Sequence, residues 1–374
     1  MSGTPLLSVV VPTKNRYKYL FYLIELIDGF KSDEIELVIQ DNSDDNAEML
    51  DYLDKHNYPF LKYNYLTGSL SVKDNSDHAI LNSSGEYVCF LGDDDGLLPS
   101  VVPVIRHMKE NSVDYLISLP SFYNWPDFYD PSIFSLSSAI SYIRGTGKYR
   151  TLDPMKELRK SSSNGFDGLY RMPKVYQGVT SRSILNRIYE RCGTFFPGPS
   201  PDMANAVALS LLNGKFMMYD GPLFISGQCR SFGGGERVIG AGLKKITEVP
   251  FLPKNITETW SKHLPTYWCA DMIWPQSAIE AMKAMGADVE VNYEQIIANF
   301  VFNHAGYRKE SLDLVENKTL YRIYYLRYAF KKAYAFLSHR LSFYLSFKSY
   351  LSPYRLVHNV NNIIDAVNYL ENAK

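Results

Sequence analysis

Glu86-Tyr87-Val88-Cys89-Phe90-Leu91-Gly92-Asp93-Asp94-Asp95-Gly96 is an apolar run that ends directly in three acids. The apolar part reads as a strand, closed by Gly92. Working outward, the same punctuation recurs. Leu6 to Val11 is a β-branched run that stops at Pro12, and Tyr17 to Phe30 follows with apolar residues at helical spacing (Leu20, Leu23, Ile24, Ile27). Ile35 to Ile39 is a second strand, ending in the turn-forming cluster Gln40-Asp41-Asn42-Ser43-Asp44. Asp45 to Lys55 reads as a helix, Leu61 to Tyr65 as a strand, Val72 to Leu81 as a helix, and Val113 to Leu119 as a fifth strand after a helix that begins near Pro99. Strands alternating with helices imply βαβ units. The expected fold class is α/β, a mainly parallel twisted sheet flanked by helices with a C-terminal helical extension. Such sheets bind ligands beyond the carboxyl ends of their strands. The loops Pro12–Arg16, Asp41–Asp45 and Gly92–Gly96 should therefore open onto one rim.

Farther along, Phe122 to Pro126 and Ser161 to Gly165 read as loops. Lys174 to Arg191 reads as a strand edge and a helix, Asp202 opens an apolar helix, and Phe216 to Tyr219 and Leu223 to Ser226 are short strands. Arg230 to Gly242 is glycine-rich, and from about Thr257 the pattern is helical. The expected division is 1–250, holding the sheet, and 251–374, a helical region.

Composition excludes several classes. Of 374 residues, 46% are apolar and 21% charged, ordinary for a globular chain. A net charge of -1 argues against nucleic-acid binding through overall charge. No apolar run is long enough to span a bilayer and no secretory signal is visible, so a cytoplasmic location is expected. The four cysteines form no metal-spaced pair and read as small buried hydrophobes.

Three adjacent carboxylates repel one another unless a cation is near. Oxygen ligands at a strand end suit Mn²⁺ or Mg²⁺, with Asp93 and Asp95 as ligands. The alternative is a surface turn, since Asp-Gly is a common turn pair. Asp41 has the geometry to accept a base N–H or touch a ribose hydroxyl, or to cap the next helix. The donors of Thr13-Lys14-Asn15-Arg16 suit a base or diphosphate, or else Asn15 starts the helix.

Together these segments resemble the family 2 glycosyltransferases of the GT-A fold. The matching text is Ser8–Arg16, Val38–Asp45 and Ser84–Asp95, closing with Pro99. The resemblance implies an inverting, metal-dependent transfer of a sugar from a nucleotide-sugar, with UDP the expected carrier. It implies that Pro12, Thr13 and Arg16 line the base pocket and that Asp41 holds the base. Lys73 and Asn75 would lie in the segment closing over the nucleotide, and Asp93 to Asp95 would touch ribose, metal and diphosphate. The general base usually opens a later helix, which points to Asp202, although Pro201 stands where the family often has a second acid. The competing role for Asp202 is a helix cap. Arg230 is the candidate to stabilise the leaving group, or a plain exposed arginine.

Between Asn317 and Ile364 there is no acid, and basic residues such as Arg322, Lys331 and Lys332 alternate with aromatics such as Tyr328, Phe330 and Tyr334. That composition fits adsorption to an anionic membrane surface, and a glycan or lipid-linked glycan acceptor at the inner face of the cell membrane would suit it. Packing on the catalytic unit or a homodimer contact would use the same residues. Two other functions stay open at this point: a sugar nucleotidyltransferase, and a non-catalytic nucleotide- or glycan-binding module.

Overall fold

The computed structural model describes residues 4–68, 70–128, 137–230, 243–346 and 354–373, excepting the side chains of 339–346. The first third alternates as the apolar periodicity requires: β1 (Leu7–Thr13), α1 (Tyr17–Asp28), β2 (Ile35–Asp41), α2 (Ala47–Lys55), β3 (Leu61–Tyr65), α3 (Val72–Leu81), β4 (Tyr87–Phe90), β5 (Gly96–Leu97) and α4 (Val101–Glu110). Next come β6 (Tyr115–Leu119), β7 (Ser121–Asn124), β8 (Ala139–Ile143), β9 (Tyr149–Thr151), α5 (Pro154–Ser163), β10 (Val179–Ser181), α6 (Arg182–Cys192), α7 (Pro201–Ser210), β11 (Phe216–Pro222) and β12 (Phe224–Gln228). The remainder is helical apart from one strand: α8 (Ile256–Thr259), α9 (Ala270–Ala284), α10 (Tyr293–Asn303), α11 (Arg308–Leu312), α12 (Lys318–Ser346), β13 (Tyr354–His358) and α13 (Ile363–Asn372).

Eight strands form the main sheet in the order β3-β2-β1-β4-β10-β6-β11-β9. β3, β2, β1 and β4 are parallel, in the register Leu7↔Ile35 and Leu7↔Tyr87, so β1, β2 and β4 end on a common rim. β10 enters antiparallel between β4 and β6. Apolar side chains cover both faces, as a sheet sandwiched by helices requires. Val9, Val11, Leu37 and Cys89 pack with α1 and α4, whereas Val10, Val38, Val88 and Phe90 pack with α3, α6 and α7. A second sheet has the order β13-β8-β7-β12-β5, and its β5 follows the acidic loop directly in the chain. A third cluster, around Met272, Ile296 and Phe300, joins α5, α7, α9 and α10.

Three readings change. Phe122 to Pro126 is not a loop: Ser121–Asn124 is β7, with Ser121 and Tyr123 buried and Phe122 exposed, a period-2 pattern that polar residues disguise. Ser161 to Ser163 closes α5 rather than a loop. Ser161 and Ser162 donate to the backbone oxygens of Gly168 and Glu290, so tertiary partners override the serines' preference for turns. The C-terminal part is not helical throughout. β13 pairs antiparallel with β8, and α13 packs its buried Ile363, Ala366, Val367 and Leu370 into the core beneath α1 and β5. The glycine run Gly233–Gly235 and residues 347–353 lie outside the described residues.

Candidate active site

The rim is assembled by loops that grip one another. Asn15 has φ 58, the left-handed turn that asparagine tolerates, and so it does not cap α1. Its backbone N donates to Ser43 Oγ at 2.7 Å and its amide pairs with Asp44, lacing the β1–α1 loop to the β2–α2 loop. Asn42 donates to the carbonyls of Leu66 and Gly68, fixing the end of β3 as well.

Asp93, Asp94 and Asp95 are all buried, which rules out a plain surface turn. Thr13 Oγ1 donates to Asp93 Oδ2 at 2.7 Å. The Arg16 guanidinium spans two of the acids: Nε lies 3.0 Å from Asp93 Oδ1, an ion pair without hydrogen-bond alignment, and Nη2 lies 2.8 Å from Asp94 Oδ2. Burial works against the arginine's charge, but Asp93 and Asp94 more than offset it and hold Arg16 firmly protonated. Cys229, read from sequence as a bland buried thiol, is part of this clamp. Its Sγ donates to Asp94 Oδ2 and accepts from Arg16, both at 3.1 Å. Asp95 accepts from the backbone N–H of Gly92 and of Gly227, each at 2.8 Å. Trp125 Nε1 donates to the Asp94 carbonyl at 3.0 Å. Gly227 must be glycine here, because a Cβ would stand 1.8 Å from the Asp94 carbonyl oxygen. Burial, and then the neighbouring acids, push all three carboxyls above the usual range.

Asp41 closes β2 and is fully buried. Its Oδ2 accepts from the phenols of Tyr17 (2.6 Å) and Tyr63 (2.7 Å), and its Oδ1 from Ser43 N (2.8 Å). It is an Asx-turn acceptor rather than a cap, since α2 begins only at Ala47. A base N–H would have to be the fourth donor to this carboxylate, on Oδ1. Pro12 and Thr13 line the same strand ends. Asn75 is buried on α3 against the Thr13 and Gln40 carbonyls, at 3.4 and 3.5 Å, and its Oδ1 has no hydrogen-bond partner. Lys73, one turn edge away, lies 3.6 Å from Asp77. Arg230 is exposed where the described chain stops, and residues 231–242 lie outside the described residues.

Two residues escaped the sequence reading. The segment 174–177 runs beside the end of β4, with Phe90 N donating to Val175 O and Gln177 N to Phe90 O. This brings Lys174 into the fields of Asp202 and Asp95, and the Tyr176 phenol onto Asp95. Burial lowers the Lys174 ammonium, and the two acids resist that shift. An isolated lysine in a loop carries no spacing signal, so nothing local betrayed it. Asp202 is half-buried in the first turn of α7, where Ser200 holds the N-cap position. Burial pushes its carboxyl up to about 6, with Lys174 pulling down and Asp95 pushing up.

Residues 8–161, the segment that carries Arg16, Asp41 and Asp93–Asp95, match the model of glycosyl transferase family 2. Over 106 residues it is 35% identical to the GalNAc(5)-diNAcBac-PP-undecaprenol beta-1,3-glucosyltransferase of Campylobacter jejuni, covering 27% of this chain. The alignment spans 33% of that relative's length. Among solved structures, S. aureus TarS 1-349 in complex with UDP-GlcNAc is 20% identical with a TM-score of 0.46, covering 84% of this chain and 76% of that one. S. aureus TarS itself gives 18% identity and a TM-score of 0.44, covering 84% and 46%.

Proposed function

We propose that the protein is an inverting glycosyltransferase that moves a sugar from a nucleotide-sugar, with UDP as carrier, to a hydroxyl of a glycan or lipid-linked glycan. The observation that carries this reading is the buried carboxylate set Asp93–Asp95, clamped by Arg16 at the rim where β1, β2 and β4 end. The undecaprenol-linked acceptor in the name of the Campylobacter relative supports the lipid-linked alternative. The catalytic unit is residues 1–250 together with the returning β13 and α13.

The donor set fits a hard divalent cation, Mn²⁺ or Mg²⁺. Among the described residues, three carboxylates stand against one contacting arginine, and burial first, then the neighbouring acids, raises their proton affinity. Asp93 and Asp95 would hold the ion, which when bound would neutralise charge on the leaving diphosphate. The chain's own groups supply the rest. Pro12, Thr13, Asp41, Lys73 and Asn75 shape the nucleotide pocket. Asp202 takes the proton of the acceptor hydroxyl. That oxygen attacks the anomeric carbon from the face opposite the diphosphate. The old C–O bond breaks with its electron pair going to the phosphate oxygen, and configuration inverts. Lys174 favours ionised Asp202, and Arg230 would stabilise the leaving diphosphate.

Calorimetric titration with UDP, GDP and CDP, with and without Mn²⁺, on the wild type and Asp95→Ala, tests this. Manganese-dependent binding of UDP, lost in the variant, is the expected result. No nucleotide binding by folded protein would overturn the reading.

The acceptor's location is supported by α12. Tyr321 and Tyr328 are buried toward the helical cluster, while Ile323, Leu326, Phe330 and Leu337 are 55%, 59%, 75% and 64% exposed at heptad-like spacing. Arg322, Arg327, Lys331 and Lys332 flank them, and no described helix is long and apolar enough to cross a membrane. Such a face suits an anionic lipid surface. Sedimentation with anionic liposomes should retain the full chain and release Phe330→Glu. Truncation before Asn317 is the poorer test, because it removes β13 and α13 from the first domain. Equal sedimentation of both proteins would exclude this face, and concentration-dependent dimerisation lost in Phe330→Glu would assign it to a homodimer.

A further inference from the structure

Away from the acidic rim, Cys269, Asp271 and His304 converge, with their candidate ligand atoms all within 4.8 Å of one another. Cys269 immediately precedes α9, Asp271 lies in its first turn, and His304 follows the last residue of α10. Two elements that meet only in the folded chain thus supply sulfur, oxygen and nitrogen to one point. His304 Nε2 is 3.1 Å from Asp271 Oδ2. Asn303 Nδ2 lies 3.0 and 3.1 Å from the two Asp271 oxygens and 3.2 Å from the Tyr328 hydroxyl, which fixes the carboxylate from behind. The Asp271 and His304 side chains are 17% and 24% exposed, so an ion can enter from solvent.

A histidine–aspartate pair beside an unrelated thiol is the plainer account. The geometry instead points to a zinc site formed by Cys269, Asp271 and His304, distinct from the carboxylate set of the rim and independent of the proposed transferase activity. The chemistry of the donors selects the metal. Thiolate and imidazole favour Zn²⁺ over Mg²⁺ and Mn²⁺, whereas the rim offers mainly carboxylate oxygens. Tetrahedral zinc needs ligand atoms ~3.3–3.7 Å apart, given bonds of about 2.0–2.3 Å, so closing the present triangle takes side-chain adjustment only. Three protein ligands leave a fourth position for water. Burial, and then Asp271, hold the Cys269 thiol protonated in the ligand-free protein, so a metal has to displace that proton. On binding, the Cys269 thiol proton passes to solvent and the sulfur donates its pair to the metal. Asn303 supplies the outer hydrogen bonds that orient a carboxylate ligand. The ion would tie the start of α9 to the end of α10.

Cobalt titration of the reduced, chelator-stripped full chain tests the site, because a thiolate ligand gives a near-ultraviolet charge-transfer band. The band should saturate at one equivalent, vanish on adding Zn²⁺, be absent in Cys269→Ser and persist in Asp95→Ala. Competition with a chromophoric chelator should show Zn²⁺ binding weakened ~10-fold in Asn303→Ala and further in His304→Ala. No thiolate band in the folded wild type, or an undiminished band in Cys269→Ser, would overturn the assignment.

Discussion

The two ends of the main sheet both bury carboxylates, and they treat them in opposite ways. At the amino end, Glu36 accepts from Ser8 Oγ at 2.6 Å and from the N–H groups of Ser84 and Gly85, and pairs with Lys62 at 2.6 Å. Burial raises its carboxyl, but Lys62, Ser8 and Ser84 more than offset this, and it ends below its ordinary range. Arg182 bridges Ser8 Oγ, Ser83 Oγ and the Gly85 carbonyl around it. At the carboxyl end, Asp93, Asp94 and Asp95 are just as buried, yet Arg16 is the cation that contacts them, and their carboxyls are raised. A satisfied buried acid holds strands together. The rim acids have partners too, but there burial outweighs the pairing, so their charge is held at a cost to stability. The signs of the pH dependence follow. Glu36 contributes stability at pH above its unfolded value, lost as pH falls through its lowered folded value. The rim acids do the reverse: the ligand-free protein loses stability as pH rises through their raised values.

The largest effect separating the two ends is catalytic. Asp202→Asn should lower transfer ~10²–10⁴-fold while leaving UDP binding intact. In the wild type the rate should fall below about pH 6, where the raised Asp202 carboxyl protonates. Lys174→Met should move that limb to higher pH, since the ammonium holds the carboxyl down; a limb that stays put would remove Lys174 from the site. Asp94→Asn should cost ~10²–10³-fold in turnover, yet leave ligand-free thermal stability at pH 8 equal or higher, because the charge that burial disfavours goes while an amide oxygen still accepts from Arg16. A clear loss of stability there would break the comparison. The smallest effect is at the other end: Glu36→Gln should destabilise by ~1–3 kcal/mol in denaturant unfolding, with activity of the folded protein within about two-fold.

Much of this was legible in the sequence where the signal is local. Leu61–Tyr65 and Val72–Leu81 end where their apolar pattern ends. β2 runs on to Asp41, past the expected turn, because Asp41 keeps pairing with Thr13 and Tyr65 in the ladder. The acids after β4 stand out because three charges following a wholly apolar strand have no use in a core.

What sequence determined by itself is therefore the alternation of strands and helices and the identity of the acids on the rim, since these follow from periodicity and from residues adjacent in the chain. Tertiary structure alone decided which partners those acids meet. Thr13 reaches Asp93 across 80 positions and Arg16 reaches Cys229 across 213. Lys174 arrives beside Asp95 only because its segment pairs with the end of β4. β13 and α13 return to the first domain because Ile363 fills the space that Gly96 leaves, where a Cβ would lie 2.8 Å from it. Contacts of this kind are fixed by packing between distant surfaces, which no window of sequence contains.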